Sequence, residues 1–261
     1  SLPTADELKE SIFQAHERAD SIGVLSTIIE NHDEPRGVSH YIAEGQVNDT
    51  SKKALGTIQV LRKGIPFIYQ GQEIGMENQV FESVEDFDDI ATINGYHVAK
   101  EAGLSEEEAL AAIAKYSRDN ARTPMQWTAE PGLGFSDGPA WLISPKPDYS
   151  INVEDQEKDP DSILNYYRQL TALYRHPLYG NTIRFGDMIP AYRDRENIIA
   201  FERRGDKRLL IVSNFQNRQA SLDLPAPIET VILTNVTGLF QEGDQVLELA
   251  PYQTIVLELV E

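Results

Sequence analysis

The chain has 261 residues, with 23 Lys and Arg against 42 Asp and Glu for a formal charge of −19, 41% hydrophobic residues and no cysteine. That is enough chain to bury one large core or two modest ones, and the balance of charged and apolar residues excludes a disordered protein. A surface this acidic repels phosphate backbones and anionic lipid, which excludes nucleic acid and membrane partners and leaves neutral or cationic small molecules. The lack of cysteine rules out a disulfide framework, a thiolate metal site and a cysteine nucleophile, and it fits a reducing cytoplasm. No apolar run approaches the ~18–20 residues of a membrane-spanning helix. The start, Ser1-Leu2-Pro3-Thr4-Ala5-Asp6-Glu7, lacks the basic and apolar stretches of a signal peptide.

In chain order, Thr4 to Glu7 reads as a capping box, followed by Leu8, Ile12, Ala15 and Ala19 on one helical face. Val24-Leu25-Ser26-Thr27-Ile28-Ile29 is predicted as a buried strand that delivers Asn31-His32-Asp33 at its carboxyl end. A helix is expected over 50–63, ended by Gly64. A second buried strand then runs over Ile65–Tyr69, with Pro66 tolerated at the strand start. Helix and strand alternating with near-continuous apolar strands is the pattern of a parallel α/β sheet. Residues 70–160 break the rhythm. They contain a second capping box, Ser105 to Glu108, that opens a helix over Glu106–Tyr116. The rest is turn-rich, as functional lids and binding loops are. The acidic stretch 154–159 is read as a solvated loop, since it lacks the glycine turn and ligand spacing of a calcium loop. Asp159 and Pro160 are expected as N-cap and first residue of an amphipathic helix carrying Ile163, Leu164, Tyr167, Leu170, Thr171 and Tyr174. From about 181 the pattern becomes short strands at 197–203, 208–214, 218–224, 228–234, 245–249 and 253–260, the spacing of a small antiparallel sandwich.

Asn31-His32-Asp33-Glu34-Pro35-Arg36 packs a His, two carboxylates and an Arg into six residues directly after a strand. Ionisable groups at the carboxyl edge of a parallel sheet occupy the place where barrel and open-sheet enzymes keep their active sites. There is neither a His-x-x-x-His pair nor a Gly-x-Ser-x-Gly elbow, so metal and serine chemistry are not expected there. Arg36 either orients Glu34 or Asp33 or binds backbone carbonyls. Trp127 and Trp141 either offer stacking faces or anchor their loops.

Glu30 to Arg36 resembles the fourth signature region of the alpha-amylase family (glycoside hydrolase family 13). Ile65-Pro66-Phe67-Ile68-Tyr69-Gln70-Gly71-Gln72-Glu73-Ile74-Gly75-Met76 resembles its last barrel strand and the loop after it. Asp119-Asn120-Ala121-Arg122-Thr123-Pro124-Met125-Gln126-Trp127 is similar to a segment of the oligo-1,6-glucosidase branch. All three occur in family order. The resemblance implies a retaining (β/α)8 glycosidase, with Asp33 as the transition-state-stabilising aspartate and His32 as the histidine beside it that bonds the sugar. Arg122 is implied as a substrate-binding residue of the terminal-glucose pocket, and Arg36 is carried as a second substrate-binding candidate. Glu34 and His40 depart from the branch's usual residues, which opens the substrate to variation.

The expected fold is therefore α/β plus all-β. Residues 1–180 form the last two units of a (β/α)8 TIM barrel, with a loop and helix insertion at about 70–160, and 181–261 form a C-terminal β-sandwich. Residues 1–30 resemble the helix before the seventh barrel strand and that strand itself, so the regions carrying the family's nucleophile and acid/base are expected to be absent and the isolated chain inactive. The expected activity of the whole is hydrolysis of α-1,6 or other α-glucosidic bonds in short oligosaccharides. Trehalose-6-phosphate hydrolysis and sucrose isomerisation are the enzymatic alternatives, and a non-catalytic sugar-binding or assembly module is the non-enzymatic one. No cofactor and no metal are expected. The partners expected are an oligosaccharide substrate and, through the cut barrel surface, other copies of the chain.

Overall fold

The computed structural model describes residues 2–238 and 240–260. In chain order it forms α1 (Ala5–Ala19), β1 (Ser26–Thr27), α2 (Gly37–Tyr41), α3 (Asp49–Leu61), β2 (Ile65–Pro66), α4 (Ile90–Glu101), α5 (Glu106–Ala114), α6 (Val153–Lys158), α7 (Ile163–Leu173) and α8 (Gly180–Phe185). The strands β3 (Asp187–Ala191), β4 (Ile198–Arg204), β5 (Arg208–Asn214), β6 (Ala220–Asp223), β7 (Ile228–Thr234), β8 (Val246–Leu249) and β9 (Thr254–Leu259) follow. The chain is organised as two compact units, one of Ser1–Ile28, Tyr41–Phe67 and Tyr166–Glu261, the other of Ile29–His40 and Ile68–Asn165. Among the described residues no helix is long and apolar enough to cross a membrane.

In the first unit a five-stranded antiparallel sheet has the order β3-β4-β5-β9-β7, beside a two-stranded sheet β6-β8. Alternate residues of β4, β5 and β9 point to opposite faces. One face contributes Ile198, Ala200, Leu210, Val212, Ile255, Leu257 and Leu259 to a core closed by Leu222 of β6 and Leu247 and Leu249 of β8. The other face, carrying Phe201, Ile211 and Val256, is covered by α1, which packs on β4, and by α3, which packs on β5 and β9. Burial on both faces explains why Ile198 to Phe201 of β4 and Leu209 to Val212 of β5 read as unbroken apolar runs. Arg203 is fully buried and donates to the carbonyls of Leu61 (2.9 Å) and Gly186 (2.8 Å). Burial, only partly offset by Tyr174 and Asp187, pulls its pKa down to about 10.

β1 and β2 pair in parallel, Ser26 with Ile65 and Thr27 with Pro66. The ladder uses the Ile65 N–H to Leu25 O (2.8 Å) and the Phe67 N–H to Thr27 O (3.1 Å), so proline falls where no donor is needed. Each strand is two residues long, shorter than the six- and five-residue runs in the sequence, because the ladder is paired on one side and Val24, Ile28, Ile65 and Phe67 remain exposed.

The second unit holds two small cores. Ile74, Met76, Met125 and Leu164 form one; Phe81, Phe87 and Leu142 form the other, against Ile93 of α4 and Leu110 and Ile113 of α5. Two segments read as loop are helical. Asp89 caps α4 by accepting from Ala91 N and Thr92 N, and Asn152 caps α6 by accepting from Asp155 N. The start of α7 also differs from the sequence expectation. Asp159 spends its carboxylate on the N–H of Asp161, and Ser162 Oγ accepts from Asn165 N, so the helix opens two residues past Asp161.

Candidate active site

The segment after β1 turns sharply at Asn31, whose Oδ1 accepts the Asp33 N–H (2.7 Å) and fixes the backbone of the turn. Asp33 then stands with its side chain 54% exposed, and three cationic or polar groups hold it. Oδ1 lies 3.3 Å from Arg118 Nη1 and 3.2 Å from Arg122 Nη2, while Oδ2 lies 3.2 Å from His32 Nε2. Two guanidiniums on one oxygen fix the direction of the carboxylate. The exposed lone pairs remain available to a hydroxyl donor.

Both arginines leave one 3-10 turn, Arg118–Ala121, opened by Ser117 Oγ accepting from Asp119 N. Arg122 donates Nε–H to the His32 carbonyl (3.0 Å) and lies 3.6 Å from Asp119 Oδ1. Asp119 is fully buried, and its Oδ2 accepts the backbone N–H groups of Asp88 and Asp89, each at 2.8 Å. Arg118 donates Nε–H to Asp89 Oδ1 at 2.8 Å and ion-pairs with it through Nη2 at 2.7 Å. Burial works to raise the Asp89 carboxyl, but the bonds from Arg118 and Thr92 outweigh it and hold it below the usual carboxylate range. The same pairing with Asp89 raises the Arg118 guanidinium. Asp33 is thus the exposed carboxylate of the cluster, with Asp89 and Asp119 buried and committed to positioning the arginines.

The remaining sequence candidate lies elsewhere. Arg36 is fully buried, ion-paired to Glu30 Oε1 at 3.3 Å and donating to the carbonyls of Gln70 (2.7 Å) and Asn120 (3.2 Å). Of the readings open for Arg36, this placement matches carbonyl binding and keeps the guanidinium away from solvent. Glu30 Oε2 accepts the Gly37 N–H at 2.5 Å, and burial, opposed by Arg36, pushes the Glu30 carboxyl up. Gly71 serves the same support: its φ is +86°, and a Cβ there would run into Met76 Sδ and crowd Arg36 Nη1. Burial, partly offset by Glu34, pulls the pKa of His40 below the ordinary histidine value.

The structure therefore brings Asp33, His32 and Arg122 together and leaves Arg36 beneath them as a strut. Sequence reasoning missed Arg118 and Asp89; Asp119 was weighed as a salt-bridge partner of Arg122, and the structure places it there. The one available signal was the place of Arg118 directly before the 119–127 segment, four residues from Arg122. Trp127 is fixed through its backbone, N–H to Leu133 O (2.9 Å) and carbonyl from Glu154 N (3.0 Å). Trp141 is fixed instead through its indole, which donates Nε1–H to Asp88 Oδ2 (3.0 Å) while the residue stays 70% exposed.

Comparison with known proteins gives a family model described as alpha amylase, catalytic domain, which matches residues 2–178. The probable oligo-1,6-glucosidase 2 of Bacillus subtilis (strain 168) is 40% identical over 234 residues, covering 87% of this chain and 40% of that protein. The trehalose-6-phosphate hydrolase of the same organism is 36% identical, covering 88% of this chain and 41% of that protein. Among solved structures, the isomaltulose synthase SmuA of Protaminobacter rubrum superposes with a TM-score of 0.91 at 32% identity over 100% of this chain and 47% of that one. This chain spans less than half the length of the relatives it matches.

Proposed function

This chain belongs to the alpha-amylase family (glycoside hydrolase family 13), in its oligo-1,6-glucosidase branch, and we propose that it forms part of a retaining α-glucosidase acting on short oligosaccharides with α-1,6 or other α-glucosidic bonds. In this reading residues 1–180 are the C-terminal portion of a (β/α)8 barrel and 181–261 a C-terminal β-sandwich. The observation that carries the function is the half-exposed Asp33 carboxylate held by Arg118, Arg122 and His32. An ionised carboxylate of fixed direction accepts hydroxyl hydrogens of a terminal glucose. Those bonds tighten, contributing several kcal/mol, as the ring flattens toward an oxocarbenium ion. Arg122 closes the side of the pocket, and His32 Nε2 shares the carboxylate with the sugar. Arg36 and Glu30 act through the backbone, by holding the segments that carry Asp33 and Arg122.

A retaining mechanism needs two further carboxyl roles, nucleophile and proton donor. In the described cluster Asp89 and Asp119 are buried and committed, so the 261 residues alone are expected to bind glucose without turnover. Incubation with p-nitrophenyl α-glucoside together with calorimetry against glucose tests this: saturable binding with no released nitrophenol supports the reading. Turnover by the pure chain refutes the expected inactivity, and absence of binding refutes the sugar site. Self-association is proposed alongside, because Val24, Ile28, Ile65 and Phe67 present apolar side chains on a strand pair with open edges. The cysteine-free composition suits the cytoplasmic setting proposed with it.

A further inference from the structure

We propose a separate small-molecule site among the C-terminal strands, for an uncharged, hydroxyl-bearing ring such as a pyranose or a cyclitol. It lies within the first unit and does not depend on the reading of Asp33. A cavity of about 470 Å3 is lined there by residues of β8 and of the segments before β6 and after β7. Its size falls in the range of about 300–1,000 Å3 usual for ligand sites. Gln253, 2% exposed, is the most buried polar residue of the lining, and it follows the turn at Tyr252, whose φ is +52°. Its carboxamide ties two lining segments together. Oε1 accepts the Ala250 N–H (2.9 Å), while Nε2 donates to Val236 O (3.2 Å) and Thr234 Oγ1 (3.3 Å). Phe240 supplies an apolar wall. It packs against the core that β6 and β8 close, and its ring rests on Gly238, where a Cβ would run into it.

The charges of the lining select the ligand. No lysine, arginine or histidine is among its described residues, so a phosphate or carboxylate would meet Asp244 and Glu248 with no counter-charge. Asp244 Oδ2 accepts the Gln241 N–H (2.8 Å) and Glu248 Oε1 accepts the Ser221 hydroxyl (2.6 Å). The second oxygen of each carboxylate has no partner among the described residues and is open to a donor. Glu248 is exposed and Asp244 half-buried. A simple cation gains little from carboxylates so well solvated. A polyol ring gains from both features of the cavity, giving its hydroxyls to these acceptors and its C–H face to Phe240.

Glucose and, separately, myo-inositol titrated into the full chain carrying Asp33→Asn, followed by proton–nitrogen spectra, read this site apart from the one at Asp33. At least one of the two is expected to shift the Gly238 N–H and the Gln253 side-chain amide saturably. Phe240→Ala is expected to weaken that binding by about tenfold, the scale of one lost aromatic contact. Phe240→Leu, which keeps the packing without the aromatic face, weakens it in the same direction and covers the case in which the alanine variant fails to fold. Glu248→Gln keeps an acceptor and drops the charge, and should change the affinity by less than about threefold. Signals of Gly238 and Gln253 that stay still with both polyols, or binding that Phe240→Leu leaves unchanged, overturn the site. Shifts produced by tetramethylammonium and not by the polyols, and lost in Glu248→Gln, overturn the ligand class. Neither result bears on Asp33, which glucose binding by the parent chain decides.

Discussion

Replacing Arg36 by methionine removes a charge from the least exposed ionic site of the second unit while keeping a long side chain of similar reach. The guanidinium has no access to solvent, and the Glu30 side chain facing it is 1% exposed. The substitution therefore strands a buried carboxylate and leaves the carbonyls of Gln70 and Asn120 without their donor. Breaking a buried ion pair from one side costs about 3–5 kcal/mol, because the abandoned charge remains desolvated. Each orphaned carbonyl works in the same direction by about 1–3 kcal/mol where water does not reach it, and part of that is already counted in the pair. A loss of about 4 kcal/mol is thus expected for Arg36→Met. Adding Glu30→Gln removes the stranded charge and keeps an acceptor for the Gly37 N–H, so the double variant should recover at least about 1 kcal/mol relative to Arg36→Met alone. Urea unfolding followed by far-ultraviolet circular dichroism measures both. A loss below about 1 kcal/mol for Arg36→Met, or a double variant less stable than the single one, refutes the strut described here.

Asp33→Asn should change stability by less than about 1 kcal/mol, since its ion pairs lie at a half-exposed carboxylate, and urea midpoints within error of the parent check this. The low carboxyl of Asp89 sets an acid dependence. Its folded-state pKa lies below the unfolded value of about 3.9, so its contribution is present above that pH and lost as pH falls through the folded value. Arg118→Gln removes the largest of the lowering influences and should move the acid-unfolding midpoint of the second unit upward. An unchanged midpoint contradicts the pairing. Ile211→Ala, at a fully buried position of β5, should cost about 2–5 kcal/mol by urea unfolding. Light scattering should find a dimer or larger species at micromolar concentration, and Phe67→Lys should reduce it. A monodisperse monomer in the parent counts against self-association.

The strands of the C-terminal half were legible because Gly205-Asp206 and Glu242-Gly243-Asp244 punctuate them, with β4, β5 and β9 buried on both faces and β6 and β8 alternating between buried and exposed residues. β3 was not, since Pro190 and exposed Ile189 dilute its pattern on the sheet edge. α4 was illegible for a different reason. Ile90 and Val98 are exposed, Gly95 sits mid-helix and Thr92 is its buried residue, so no apolar stripe exists to be read. What fixes α4 is its Asp89 cap. At the site, Asp33, His32 and Arg122 were found through motif order. Arg118 was hidden because its main partner, Asp89, is 29 residues away in a segment without periodicity. The burial of Arg36 was likewise not readable, because arginine is ordinarily solvated, and the acceptors that allow it here are backbone carbonyls that carry no sequence signal.

The central claim is that Asp33, held by Arg118, Arg122 and His32, receives a terminal glucose. Titrating glucose into the chain while following the Arg122 Nε–H and His32 ring signals by nuclear magnetic resonance tests it most directly. Saturable shifts of both signals that disappear in Asp33→Asn, with the fold intact, are the predicted result. Signals that stay still in the parent, or that shift equally in Asp33→Asn, contradict it.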